Sequence, residues 1–201
     1  MVYYYKDYAF KIPAGIYEPK EDSALLADNL RIEKGDYVLD MGCGSGIQAI
    51  VASRKAEKVL AADINPHAID AARQNAQMNK AENIEYRISD LFENINLDEK
   101  FDQILFNPPY LPSEEKDLEA LAWAGGTTGR ETIDRFIVDA PKHLTCRGRI
   151  QLLVSSLNHV DDVLKALREK DLEAEIVARE KIWFEELYLI LASSKKKMKS
   201  I

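Results

Sequence analysis

The chain has 201 residues, of which 46% are hydrophobic and 30% charged, with a formal net charge of -7. That length suits one domain with a sizeable core, and the composition excludes disordered and fibrous classes. The acidic balance argues against bare nucleic acid as the main partner, because phosphate contacts need Lys and Arg, though it leaves room for a local basic groove.

Cys43 and Cys146 form no CxxC pair, and His67, His143 and His159 cluster with nothing in the sequence. Neither a metal site nor a disulfide framework is expected, and reduced thiols point to a cytoplasmic location. The first residues hold no apolar stretch of a signal peptide. No apolar run nears the roughly 20 residues that cross a bilayer.

Residues 1 to 18, rich in Tyr and carrying Pro13 and Gly15, predict an extended arm or short hairpin. A helix is predicted from Glu21, with Ala24, Leu25, Leu26, Ala27 and Leu30 as its apolar stripe. Tyr37 to Met41 reads as a buried strand, and glycines between 42 and 46 make a tight loop into a helix over Ile47 to Lys55. Lys58 to Ala62 is the second strand. Asn65-Pro66 then opens a helix to about Asn79, because Asn caps and Pro fits the first helical position. Ile84 to Ile88 and Asp102 to Phe106 are the next strands. Leu111 to Gly129 shows no periodicity and is long enough to serve as a lid. Thr128 and Glu131 have capping-box spacing for a helix through Ile133, Phe136 and Ile137. Arg149 to Val154, a helix over Val160 to Leu167, and strands at Ala174 to Val177 and Leu187 to Ala192 complete the pattern. Residues 195 to 201 read as a basic, solvated tail.

Strands separated by single helices imply an α/β fold with a doubly wound, seven-stranded, mostly parallel sheet. The last two strands lack a helix between them, so the last is expected to run antiparallel. Neither a repeat nor a linker divides the chain, and residues 1–201 are read as a single domain.

Asp40-Met41-Gly42-Cys43-Gly44-Ser45-Gly46 joins the first strand to its helix. A dinucleotide fingerprint would place glycine at position 47, where this chain has Ile47. An acid inside the turn would repel a pyrophosphate. It suits the ammonium and sulfonium groups of S-adenosylmethionine. Asp63 ends the second strand, placed for ribose hydroxyls, and Asp90 follows the third, placed for an adenine amino group. Each alone could be a turn or cap residue; three acids at successive strand ends are harder to explain so.

Phe106-Asn107-Pro108-Pro109-Tyr110 ends the fourth strand. The prolines fix the backbone. The Asn107 side-chain oxygen and the Pro108 carbonyl could both accept from one NH2 group, with Tyr110 over the face of a flat substrate. An amide or aromatic amine nitrogen is a poor nucleophile because its lone pair is delocalised. Two acceptors would orient that lone pair and favour the positive charge that develops on attack. Neither a metal nor a strong base is required.

Taken together, DxGxGxG, Asp63, Asp90 and NPPY resemble the class I, Rossmann-like methyltransferases that act on amide or exocyclic amino groups. Tyr17-Glu18-Pro19-Lys20-Glu21-Asp22-Ser23 and Ala122-Trp123-Ala124-Gly125-Gly126-Thr127-Thr128-Gly129-Arg130-Glu131 resemble segments of the HemK-type protein-glutamine methyltransferases, in their eukaryotic and archaeal branch. The resemblance implies N5-methylation of the glutamine in the Gly-Gly-Gln loop of a class I release factor. It implies S-adenosylmethionine as cofactor, held by Ser23, Asp40, Gly42, Gly44, Gly46, Asp63, Asp90, Leu91 and Asn107. Asn107, Pro108, Pro109 and Tyr110 would hold the substrate amide. Ser23 stands for a more usual Thr, and Asp40 for a frequent Glu. The resemblance further implies a form without a separate N-terminal helical domain, residues 1–34 covering the cofactor, and a small zinc-binding activator on the strand bearing Ile84, Tyr86 and Ile88. The alternative from the same chemistry is a nucleic-acid adenine or guanine amino methyltransferase acting on a flipped base.

Overall fold

The computed structural model describes residues 1–111 and 126–194. Most of the expected lid segment, residues 122–125 of the Ala122-to-Glu131 motif and the basic tail therefore lie outside the described residues. Val2–Tyr5 (β1) and Tyr8–Lys11 (β2) pair as an antiparallel hairpin, one of the two forms expected for the arm. Glu21–Asp28 (α1), Tyr37–Met41 (β3), Ile47–Ser53 (α2), Lys58–Asp63 (β4), Pro66–Met78 (α3), Ile84–Ile88 (β5) and Phe101–Phe106 (β6) follow. Glu131–Asp139 (α4), Leu144–Ser155 (β7), Val160–Glu169 (α5), Leu172–Lys181 (β8) and Glu186–Ser194 (β9) come after residue 126.

Strands β3 to β9 form one sheet in the order β5-β4-β3-β6-β7-β9-β8. Strands β3 to β7 are parallel, and β9 runs antiparallel between β7 and β8, as the missing helix required. Helices cover both faces, so Leu39, Leu60, Ile104 and Ile150 are fully buried and the central strands read as continuous apolar runs. The edge strand β8 alternates buried Leu172 and Ala174 with exposed Glu173 and Glu175. Both β7 and β8 outrun their predicted spans, because polar residues on a half-covered strand dilute the apolar signal.

Helix α3 starts as predicted: Asn65 Oδ1 accepts from the His67 amide at 2.9 Å, with Pro66 in the first turn. The capping box expected at α4 forms only in part. Helix α4 begins at Glu131 itself, so its carboxylate accepts from the Thr128 amide at 3.3 Å while Thr128 Oγ1 accepts from the Arg130 amide.

Buried amide side chains tie irregular segments to this frame. Asn75 is fully buried; its Oδ1 accepts from the Lys11 amide at 2.7 Å, and its Nδ2 donates to the carbonyls of Lys11 and Ser45. Asn79, one turn on, makes the same pair of bonds with Ala9. The outer edge of β2 thus finds its backbone partners on α3, and the glycine loop is held through Ser45. Gln151 on β7 likewise receives the Arg31 amide and donates to the Asn29 carbonyl after α1. A neutral amide can be buried because it uses donor and acceptor together.

Replacing Asn75 with Ala leaves a buried amide and carbonyls unpaired, at about 1–3 kcal/mol. The Asn75→Ala variant is expected to unfold at lower denaturant concentration. Its Lys11 amide should exchange with deuterium faster, while the amides of β3 keep their protection.

Candidate active site

The chain passes from β3 to β4 and β5 on one side and returns to β6 on the other. The loops leaving β3 and β6 therefore diverge, and a crevice opens at the carboxyl ends of the strands. A cavity of about 250 Å³ lies there. Four adjacent strands bring Asp90, Asp63, Asp40 and Asn107 to its wall, in that spatial order.

The glycine loop forms the floor. Gly42 and Gly44 line the cavity, and a Cβ on Gly44, with φ +52°, would meet nothing within 4 Å. That open side lets a ligand approach the backbone. Gly46 serves differently from expectation. Its α-carbon, at φ +85°, lies against Ala72, where a Cβ would come within 3.0 Å, so it packs the loop on α3 and does not line the cavity.

The three acids sit in unlike surroundings. Asp40 is 1% exposed, and its Oδ2 accepts from the Ala49 amide at 2.9 Å in the first turn of α2. Burial pushes its carboxyl up to about 8 despite that amide, and the charge of Asp63 adds to the rise. Asp63 accepts from the Asn65 amide at 2.8 Å through Oδ1 and from the Gly44 amide at 2.9 Å through Oδ2, bracing the loop; burial raises its pKa too. Asp90 is more open and pairs with Arg135 of α4 at 2.9 Å. Leu91 beside it adopts φ +46°, an unusual backbone for a branched side chain, and its carbonyl accepts from the Ser89 hydroxyl at 2.7 Å.

Asn107 lies just beyond β6. Its Nδ2 donates to Asp22 Oδ2 at 3.0 Å and lies 3.5 Å from Ser23 Oγ. Its Oδ1 has no partner within the described residues. Pro109 lines the same cavity, whereas Pro108 is buried and does not line it. Tyr110 turns into an adjoining cleft shared with Tyr17, Glu18, Glu21, Asp22 and Glu185. Burial raises the Tyr110 phenol further above its ordinary value, so it stays protonated. The Tyr110 carbonyl accepts from Nδ2 of the fully buried Asn158, which also holds the Gly129 carbonyl. Ser23, at the other wall, accepts at its carbonyl from Gln48 Nε2 at 2.9 Å.

The structure thus gathers Ser23, Asp40, Gly42, Gly44, Asp63, Asp90, Leu91, Asn107 and Pro109 around one cavity. Sequence reasoning passed over Asp22, Gln48, Arg135 and Asn158. Only Asp22 carried a signal, its place in the Tyr17–Ser23 segment; the others are single polar residues on helices or turns, with no pattern to mark them.

The state of Asp40 has a consequence for stability. Its folded pKa lies above the unfolded value of about 3.9, so the folded state favours the neutral acid. That advantage is complete below about pH 4 and is lost as pH rises through about 8. Urea unfolding of wild type and Asp40→Asn across this range should show the variant gaining relative stability with rising pH. A difference that stays flat would contradict a buried, neutral Asp40.

With the site in place, comparison with known proteins gives a consistent picture. A family model described as the methyltransferase small domain matches residues 10–183. A Methanocaldococcus jannaschii protein, provisionally named a protein N5-glutamine methyltransferase, is 44% identical over 187 residues, covering 90% of this chain and 93% of its own. The human methyltransferase HEMK2 is 36% identical over 172 residues, covering 79% and 80%. Among solved structures, the E. cuniculi Mtq2–Trm112 complex, described as responsible for methylation of the eRF1 translation termination factor, matches with a TM-score of 0.72 and 30% identity, over 90% of this chain and 99% of that one. Fold, glycine loop and sequence agree: the chain belongs to the methyltransferase small-domain family and is a methyltransferase.

Proposed function

We propose that this chain transfers the methyl group of S-adenosylmethionine to the side-chain nitrogen of the glutamine in the Gly-Gly-Gln loop of a class I release factor. The observation that carries the reading is Asn107, whose NH2 group is tied to Asp22 while its buried Oδ1 is left without a partner beside the cavity. A buried, unpaired acceptor is costly unless a ligand completes it. A substrate amide NH2 is such a ligand.

The cavity fits S-adenosylmethionine on the chemistry of its own lining. Asp40 keeps one carboxylate oxygen free for an ammonium group, and the open face of Gly44 admits close approach. Ser23, Asp40, Gly42, Gly44, Asp63, Asp90, Leu91 and Asn107 would hold it; Gly46 supports the loop from behind. Bound there, S-adenosylmethionine supplies an electrophilic methyl group. The chain's own residues do the rest by positioning. Asn107 Oδ1 and the Pro108 carbonyl accept from the two N–H bonds of the glutamine amide, turn its lone pair toward the cavity and stabilise the positive charge that grows on nitrogen. Tyr110 covers the amide plane. The alkylated nitrogen is a strong acid and releases its proton to water.

The cleft leading to Tyr110 favours a polypeptide over a nucleic acid. Among the described residues, Glu18, Glu21, Asp22 and Glu185 line it against a single cation, Lys20. Such a lining repels phosphates. At its rim the β8–β9 turn presents Trp183 and Phe184, 94% and 95% exposed. We place the small zinc-binding activator on the edge strand β5, where Ile88 is 51% exposed while Ile84 and Tyr86 pack inward. The relative from E. cuniculi is itself a complex with Trm112. Residues 1–201 act as one unit in this reading, with residues 1–34 as the cover over the cofactor, in the cytoplasm where release factors work. Within the described residues no helix is long and apolar enough to cross a membrane.

Labelled S-adenosylmethionine should label the release factor, and the label should vanish when the Gly-Gly-Gln glutamine is changed. Labelling that survives the change, or that appears on RNA or DNA instead, would overturn the assignment in favour of another acceptor or a nucleic-acid amino methyltransferase. Asn107→Ala is expected to lower turnover by about 100-fold or more, with cofactor binding partly kept.

A further inference from the structure

We infer that Asp22 is a positioning residue that fixes which way the Asn107 side chain faces, and thereby which substrates the site accepts. The inference deepens the reading above and rests on it for the identity of the acceptor, but the geometry concerns only this chain.

The terminal torsion of asparagine is soft and nearly two-fold, so oxygen and nitrogen can exchange places at little intrinsic cost. A site that must accept hydrogen bonds from a substrate NH2 cannot tolerate that exchange, since a flipped Asn107 would set its own NH2 against the substrate's. Asp22 removes the ambiguity. Its carboxylate is 3% exposed and only accepts. It faces Asn107 Nδ2 at 3.0 Å, so the donor end must turn to Asp22 and Oδ1 away from it. The two residues lie 85 positions apart and belong to different elements.

Asp22 is itself held on both oxygens. Oδ1 accepts from the Ser23 amide at 2.6 Å, and Oδ2 also accepts from the Tyr17 hydroxyl at 2.8 Å. Tyr17 in turn reaches Tyr110, which closes a chain of contacts from α1 to both ends of the NPPY loop. A negative charge behind Nδ2 also polarises the amide and makes Oδ1 a stronger acceptor. Asp22 sits in the first turn of α1, yet neither oxygen caps a free amide beyond its own neighbour. Its buried carboxylate is spent on Asn107 and Tyr17. The site therefore selects acceptors that offer two N–H donors, and Asp22 sets that preference without touching them.

Asp22→Asn is nearly isosteric and replaces the one-way acceptor with a group that can face Asn107 either way. Two measurements test the role. In the resting protein, the side-chain NH2 signals of ¹⁵N-labelled Asn107 should show one proton shifted downfield by the carboxylate, and Asp22→Asn should abolish that shift; an unaltered signal would overturn the inference whatever the substrate proves to be. In methyl transfer to the release factor, Asp22→Asn should lower kcat about 100-fold, while S-adenosylhomocysteine affinity falls far less and the protein stays folded. The same change in the Asn107→Ala background should add nothing, because the group it orients is gone. An equal loss in both backgrounds would show a merely structural carboxylate and refute the role. A wild-type protein that leaves the release factor unlabelled would defeat the proposed substrate, and the NMR measurement would still decide on Asp22.

Discussion

The reversal of strand order at β3 is the constraint on which the site depends. A parallel strand must be followed by a crossover, and crossovers from one strand to either side must leave in opposite directions. The loops after β3 and β6 are therefore kept apart by topology, and no side chain needs to hold the crevice open. Everything polar in the site is placed by where its strand ends. Asp40 is in β3, Asp63 closes β4, Asp90 follows β5 and Asn107 follows β6, and their spacing is that of neighbouring strands in one sheet.

That arrangement puts carboxylates where water is scarce, and the molecule bears the cost in two ways. Asp63 is satisfied by two backbone amides, one from the glycine loop and one from the start of the α3 turn. Asp40 has only one, from α2, and its burial raises its pKa into the neutral range. A group poised this way responds strongly to a nearby cation, since a positive charge restores the ionised form that burial disfavours. The same logic separates Asp90, whose carboxylate is paired with Arg135 at the wall of the crevice.

Irregular segments around the crevice are held by buried amides rather than by apolar packing alone. Asn75 and Asn79 hold the N-terminal hairpin, Gln48 holds Ser23, Gln151 holds the exit of α1 and Asn158 holds Tyr110. A loop carries backbone groups with no ladder to join, and each buried one needs a partner. An amide side chain offers both hydrogen-bonding roles without a charge, so it can sit in the interior where a carboxylate or lysine would suffer desolvation. The frame thus transmits its rigidity to the segments that face ligand.

The sequence by itself determined the alternation of strands and helices, the parallel sheet with its antiparallel last strand, the glycine turn, the acids at strand ends and the NPPY loop. These were legible because each depends on local chemistry: period, turn residues, or a short run of fixed spacing. The tertiary structure alone decided that Gly46 packs on Ala72 and leaves the ligand surface to Gly44 and Gly42, that the α4 box forms only in part, and that Asp22, Arg135 and Asn158 belong to the site. Those outcomes depend on which distant segment lies against which. Asp22 and Asn107 meet only because the start of α1 lies against the loop that follows β6, and no periodicity within either segment records that contact.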